Sequence, residues 1–272
     1  MNVINGKAIA AEILGELKLL PKPEKFFAGI VIGDDPSSES FQKLKQRTTM
    51  DLGVDYRIYH LSPELGNDGL RKEIGRIGAQ KTCGGVIIQF PIPEHLNKHY
   101  LVNAIPAEKD PDVLSERSLG AFYANRNPAL HPAAATVEAI LAHLDFDIKT
   151  KKVAVVGPGF LIGKPVATWL IGRSSDLYVL DRGADFSILK TCDLVISGAG
   201  KIGLLTPEML KDDAGVIDFS YSKNEQGELV GDFDPSSPDV EKLSFYTPTP
   251  GGTGPILVAK LLENFYRLNS EK

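Results

Sequence analysis

Apolar positions along the chain alternate between two kinds of spacing. Phe26 to Ile32 and Gly85 to Gln89 are short runs apolar enough to be strands buried on both faces, and Asp55 to Leu61 alternates as a half-buried strand. Among these, Ile9, Ile13, Leu14, Leu17 and Leu20 recur at helical spacing over 7–20, ended by Pro21 and Pro23. A second helix is expected from about Glu39 to Leu52, after the turn Gly33-Asp34-Asp35-Pro36, capped by Ser37 and Ser38 and stopped by Gly53. A third covers Asn67 to Ile77, Tyr100 to Ile105 ends a further one, and Thr136 to Leu144 is helical and leads onward. Beyond it the strand pattern returns at 153–156, 177–180, 193–197 and 214–219, and an amphipathic helix over Ile256 to Leu268 closes the chain. Helix and strand in alternation predict parallel α/β sheets. The expected fold is therefore α/β in two domains. Residues 1–138 plus 256–272 make the first and 139–255 the second, which is Rossmann-like.

The second domain owes that label to its first strand. Val153 to Val156 runs into Gly157-Pro158-Gly159-Phe160-Leu161-Ile162-Gly163-Lys164-Pro165, and a helical pattern follows in Val166 to Leu170. Strand, glycine turn and helix is the geometry that lets backbone amides and a helix N-terminus face a pyrophosphate. The spacing is G-x-G-x-x-x-G, one residue longer than the common fingerprint, and a tight turn needing glycine for packing alone is the other reading. The next strand ends in Asp181, where a carboxylate can hold ribose hydroxyls; Arg182 beside it can hold a 2′-phosphate instead.

Composition narrows the class. At 272 residues the chain can bury two modest cores. Thirty basic against thirty-five acidic residues give −5, which speaks against general affinity for nucleic acid or an anionic membrane. Two cysteines, Cys83 and Cys192, give neither a disulfide framework nor zinc spacing, and no metal is expected. Neither a signal-peptide core nor a membrane-spanning run is present, so a cytoplasmic location is expected.

In the first domain three polar residues sit where strand ends form a ligand crevice. Lys45 shares a helix face with Phe41, Gln89 ends an apolar strand, and Asp112 closes the loop Pro106-Ala107-Glu108-Lys109-Asp110-Pro111-Asp112. Each has an ordinary reading too: a solvated helix lysine, a strand cap, a turn former. Gln89 resists it most, because a buried amide needs a partner.

Together these residues resemble the bifunctional methylenetetrahydrofolate dehydrogenase/methenyltetrahydrofolate cyclohydrolase family. The likeness runs from Asn5-Gly6-Lys7 to the final helix. It is carried by Gly85 to Pro93 (G-V-I-I-Q-F-P-I-P), Pro106 to Asp112, Gly163-Lys164-Pro165, Val216-Ile217-Asp218, Val230-Gly231-Asp232-Phe233-Asp234 and Pro248-Thr249-Pro250-Gly251-Gly252-Thr253-Gly254-Pro255. The resemblance implies oxidation of 5,10-methylenetetrahydrofolate with NAD or NADP, then hydrolysis to 10-formyltetrahydrofolate. It implies Lys45 as the proton-shuttling lysine, Gln89 as the residue that positions it and Asp112 as the acid that binds the pterin. Phe41, Gly251, Gly252 and Pro255 become folate contacts. Gly157, Gly159, Gly163, Lys164, Pro165, Asp181, Arg182, Gly198 and Gly200 become cofactor contacts. A homodimer is the family's expectation, with folate as the small-molecule partner.

The chain departs from the family's pattern at four places. Phe41 replaces a tyrosine, keeping the ring but losing the hydroxyl. Pro158-Gly159 replaces Arg-Ser, Pro132-Ala133-Ala134-Ala135 replaces Pro-Cys-Thr-Pro, and Asp181-Arg182 replaces His-Ser. The carboxylate of Asp181 tilts the cofactor expectation toward NAD. These departures keep two other readings open: a folate-binding homologue with reduced or lost catalysis, and a dehydrogenase of another small substrate.

Overall fold

The structure, a computed structural model, describes residues 1–33 and 36–270, with the side chains of 36–40 excepted. Asp34 and Asp35 of the expected turn, and the capping side chains of Ser37 and Ser38, lie outside the described residues. In chain order the first half contains β1 (Asn2–Val3), α1 (Gly6–Lys18), β2 (Phe26–Ile32), α2 (Pro36–Asp51), β3 (Tyr56–Leu61), α3 (Gly66–Gly78), β4 (Cys83–Ile88), α4 (Lys98–Val102) and α5 (Glu116–Tyr123). The second half contains α6 (Pro132–His143), β5 (Lys152–Val156), α7 (Gly163–Leu170), β6 (Asp176–Leu180), β7 (Leu194–Ser197), β8 (Gly215–Asp218), β9 (Ser222–Lys223), β10 (Leu229–Val230), β11 (Phe245–Tyr246) and α8 (Thr253–Asn269).

The chain divides into two compact units, residues 11–132 with 258–272, and residues 1–10 with 133–257. The expected boundaries had put residues 1–10 with the first domain. Backbone pairing explains the difference: β1 lies parallel to β11, Asn2 N–H donates to Ser244 O at 2.8 Å and Ile4 N–H to Tyr246 O at 2.9 Å.

The unit of residues 11–132 and 258–272 is built on a parallel sheet in the order β3-β2-β4. All seven residues of β2 and all six of β4 are buried, as their unbroken apolar runs require. On one face Leu17, Leu52, Leu261, Leu262 and Phe265 pack with Phe27 and Ile87. Phe27 stacks on Phe265 at 4.5 Å between centroids and meets Tyr56 edge-on at 5.5 Å. Helix α3 buries Leu70, Ile74 and Ile77. The sheet order reverses direction between β2 and β4, so their carboxyl ends flank the natural crevice of this sheet.

The other unit carries a six-stranded, wholly parallel sheet in the order β1-β11-β8-β7-β5-β6. Its order reverses between β5 and β7. Gly157 follows the first of these strands and Gly198 the second. No helix among the described residues is long and apolar enough to cross a membrane.

Candidate active site

Lys45 sits in the third turn of α2, where Thr49 Oγ1 donates to the Lys45 carbonyl at 2.6 Å. Only 6% of the lysine is exposed. Its Nζ donates to Gln89 Oε1 at 3.0 Å, while Gln89 Nε2 donates to the Phe90 carbonyl at 2.7 Å. That second bond fixes which end of the amide faces the lysine. Gln89 itself is held in sheet register, its N–H donating to Ile30 O at 2.8 Å. The lysine amine lies 4.9 Å from the centre of the Phe41 ring.

Burial holds the Lys45 pKa below the ordinary lysine value, and the nearby Asp112 carboxylate opposes that shift. Asp112 responds in the opposite sense: burial pushes it up to about 6, Lys45 draws it down, and Asp110 adds to the rise. Lys45, Gln89, Phe41 and Asp112 thus come together, as the strand-end argument requires. The lysine is tuned toward its neutral, basic form by desolvation.

Sequence reasoning missed the residues that hold Asp112 in place. The Asp110 carboxylate is buried and accepts from Leu114 N–H at 3.1 Å and Ser115 N–H at 2.9 Å. Lys109 Nζ reaches Gly78 O at 2.6 Å and Gln80 O at 2.9 Å, and Asn264 Nδ2 donates to Pro111 O at 2.9 Å. Between these anchors Val113, fully buried, takes φ 57°, a left-handed conformation that a β-branched residue adopts only when its surroundings impose it. Tyr56 was also missed; its phenol pKa is raised by burial and then by the Asp112 charge, which places it in the same electrostatic neighbourhood. Strand alternation over 55–61 assigned Tyr56 to the sheet and offered no further signal.

The glycine turn is a second, separate construction. Gly157 has φ 80°, and a Cβ there would meet Ala199 Cα at 2.5 Å and Ala199 N at 2.7 Å. A Cβ on Gly163 would strike the Gly157 carbonyl and stand 2.8 Å from Pro158 Cα. Gly159 N–H donates to Gly157 O at 2.7 Å, Lys164 N–H to Gly159 O at 3.0 Å, and Gly198 N–H to Val156 O at 3.0 Å. Gly157 N–H also donates to Leu180 O at 2.9 Å, which brings the end of β6 alongside the turn. Asp181 and Arg182, both exposed, follow that strand, and the Arg182 N–H donates to Asp181 Oδ1 at 2.8 Å. Lys164 is exposed, Pro165 is buried in α7, and Gly200 adopts φ 70° in the turn after β7. Gly251 and Gly252 form the turn ahead of α8, and Pro255 lies in its first turn. A backbone cradle with glycine at its close approaches, at a sheet switch point, fits a dinucleotide.

Comparison with known proteins decides the family. The chain matches the tetrahydrofolate dehydrogenase/cyclohydrolase catalytic domain over residues 4–112 and the NAD(P)-binding domain of the same family over residues 132–272. The chain belongs to the tetrahydrofolate dehydrogenase/cyclohydrolase family. Among its relatives, the bifunctional protein FolD of Campylobacter jejuni (strain RM1221) is 31% identical over 274 residues, covering 97% of this chain and 96% of that protein. The crystal structure of bifunctional FolD from Campylobacter jejuni matches with TM-score 0.92 and 29% identity, over 99% of this chain and 98% of that one. The Trypanosoma brucei enzyme, crystallised with NADP cofactor and inhibitor, matches with TM-score 0.89 and 28% identity, over 98% and 96% of the two chains. For a tetrahydrofolate dehydrogenase/cyclohydrolase, the Lys45 cluster falls within the matched catalytic domain and the Gly157 turn within the matched NAD(P)-binding domain.

Proposed function

We propose that the Lys45 cluster carries out the folate chemistry of the family in this chain, with Lys45 as the proton-transfer group, Gln89 as its positioning residue and Asp112 as the pterin-binding acid. As a family member, the chain is an NAD(P)-dependent enzyme of one-carbon folate metabolism, with methylenetetrahydrofolate dehydrogenase and methenyltetrahydrofolate cyclohydrolase activities. The observation that carries the residue assignment is the buried Lys45 amine, lowered in pKa and held on Gln89 Oε1 at 3.0 Å. A lowered pKa leaves more of the amine in its neutral, proton-accepting form than an exposed lysine would keep, as hydration of the one-carbon bridge demands. Asp112 can accept hydrogen bonds from adjacent ring N–H groups. The Phe41 ring supplies a stacking face in this reading.

For the first step the requirement is orientation of two rings, so the protein supplies position and no strong base. The nicotinamide cofactor supplies the hydride acceptor when bound. Gly157, Gly159, Gly163, Lys164, Pro165, Gly198 and Gly200 would hold it, and Asp181 would take the ribose hydroxyls. We favour NAD over NADP, because an exposed carboxylate at the end of β6 repels a 2′-phosphate; Arg182 argues the other way. The reading also includes a homodimer and a cytoplasmic location, with no nucleic-acid or membrane partner. Support for the dimer is the open edge at β6, where Val179 is 47% exposed.

The test follows methenyl absorbance in purified protein with NAD and with NADP, in wild type and Asp181→Ser. We expect methenyl formation with both cofactors, faster with NAD, and a narrowed preference in the variant. Binding of folate without turnover would favour the catalytically reduced homologue. A strong NADP preference unchanged in Asp181→Ser would remove the cofactor argument.

A further inference from the structure

One motif from the sequence has no part in the chemistry above: Val230-Gly231-Asp232-Phe233-Asp234. Its central carboxylate is wholly buried, with 0% exposure. An ionised group so placed is tolerated only when donors surround it. Here Asp232 Oδ2 accepts from Ser197 Oγ at 2.6 Å and from Ala199 N–H at 2.8 Å, and Oδ1 accepts from Lys201 N–H at 2.7 Å. All three donors belong to the end of β7 and the turn that follows it. The same turn contains Gly198 and Gly200, and its Ala199 backbone is the surface on which Gly157 rests.

The carboxylate is itself held from behind. Asp218, at the end of β8, is 2% exposed and accepts from Phe233 N–H at 2.9 Å and Ser220 N–H at 2.7 Å. A Cβ on Gly231 would run into Asp218 Oδ2, so only glycine lets the segment lie so close. Leu205 N–H donates to the Asp232 carbonyl at 2.9 Å and fixes its backbone on the other side.

We propose that Asp232 is a positioning residue for dinucleotide binding. It acts through Ala199 and Lys201 to set the turn after β7, and through Ala199 to set the floor under Gly157. The proposal rests on the reading that the Gly157 and Gly198–Gly200 turns receive the dinucleotide. Asp232 does not touch the cofactor in this scheme. It fixes the direction of backbone groups that do.

Asp232→Asn separates this role from bulk. The amide keeps the shape but turns one oxygen into an NH2 donor. Ser197 can rotate its hydroxyl to accept, whereas the N–H groups of Ala199 and Lys201 cannot. Whichever way the amide is turned, a backbone donor faces another donor. Titration of NAD and of NADP into wild type and Asp232→Asn by calorimetry should show affinity for the preferred cofactor about tenfold weaker. Hydrolysis of supplied methenyltetrahydrofolate, which uses no dinucleotide, should stay within about twofold in the same samples. Ser197→Ala removes one of the three bonds and leaves both amides on the carboxylate, so it should weaken binding less; it also serves if Asp232→Asn does not fold. Gly157→Ala tests the underlying reading: a methyl against Ala199 must weaken cofactor binding if the dinucleotide lies there. Unchanged affinity in Gly157→Ala would remove that reading. A weakened Gly157→Ala beside unaltered Asp232→Asn and Ser197→Ala would overturn the role of Asp232 alone. Equal loss of cofactor binding and of hydrolysis would make Asp232 a residue of the fold only, and would overturn it as well.

Discussion

The Lys45 cluster and the Gly157 turn solve different problems with different parts of the chain. At Lys45 side chains make the proposed site: one amine, one amide, one carboxylate and a ring, with desolvation shifting the proton affinities of the amine and the carboxylate. At Gly157 the backbone makes the site, and the important side chains are those that are missing. A site made of side chains is sensitive to each replacement, because every group has its own chemical task. A site made of main chain tolerates changes in side chains that point away and fails when a Cβ enters. Pro158-Gly159 in place of Arg-Ser keeps the backbone cradle while giving up two polar side chains, and Phe41 in place of tyrosine keeps the ring while giving up a hydroxyl.

The sharpest way to break the comparison is Lys45→Met. If the side-chain site is as described, cyclohydrolase activity should fall by about 10²–10⁴-fold, the usual range for a lost general acid or base. Folding should survive, since Met fills the stem's volume and the Asp112 carboxyl, already raised to about 6 by burial, takes up a proton more readily once the lysine cation is gone. Hydrolysis of the methenyl substrate and thermal unfolding measured together decide it; undiminished hydrolysis would return Lys45 to a structural role. The backbone site should respond oppositely to Gly163→Ala. A methyl there strikes the Gly157 carbonyl. Hydride transfer should drop about tenfold or more, for a displacement costing a kcal/mol or two. Hydrolysis of preformed methenyltetrahydrofolate should continue. Parallel loss of both activities would mean the two sites are not independent in function.

Acidity offers a third test, confined to the side-chain site. In the folded chain desolvation holds the Asp112 pKa up at about 6, above its ordinary value of 3.8. The folded state therefore holds this proton more tightly than the unfolded state between roughly pH 4 and 6. Stability from this group is full below that window and is lost as pH rises through it. Asp112→Asn has no proton to lose. It should be more stable than wild type above pH 6, by at most about 3 kcal/mol for a rise that already includes the attraction to Lys45, and the gain should vanish near pH 4. Urea unfolding at the two pH values measures this. A gain of equal size at both would place its origin outside the titration of Asp112.

Much of this was legible in residue order, and the illegible parts share a cause. Gly157, Gly163 and Gln89 sit at ends of strongly patterned strands or helices, where local spacing marks them out, while the parts proposed for Lys45, Gln89 and Asp112 come from the family resemblance. The β1–β11 pairing was not visible, because each strand has two residues and their partners, Asn2 with Phe245 and Val3 with Tyr246, lie near opposite ends of the chain. Helix α5 was missed although Ser115 caps it, accepting from Ser118 N–H, since only Ser118 and Phe122 of its residues are buried and its apolar stripe is thin. Asp110, Asn264 and Asp232 were read as loop, helix and motif residues. Asn264 and Asp232 act by hydrogen bonds to backbone far away in sequence, which no local pattern records, and Asp110 by accepting from Leu114 and Ser115 N–H just beyond its own loop.

The smallest expected effect bears most directly on how a side-chain site tolerates loss. Phe41 presents its ring 4.9 Å from the Lys45 amine and carries no hydroxyl. A phenol in its place would add one donor and one acceptor beside the amine, where a water must be ordered for hydrolysis and nothing comparable is needed for hydride transfer. Phe41→Tyr should therefore raise the hydrolytic step by about two- to tenfold, the worth of one modest hydrogen bond. The dehydrogenase step should change by less than about twofold, because stacking needs only the ring. Single-turnover rates for the two steps, measured with supplied methenyl and methylene substrates, separate them. Equal acceleration of both would show that the hydroxyl acts on folate binding. No acceleration of either would show that Gln89 and Lys45 already order the water unaided, and the side-chain site would then be more tolerant than the comparison with the glycine turn implies.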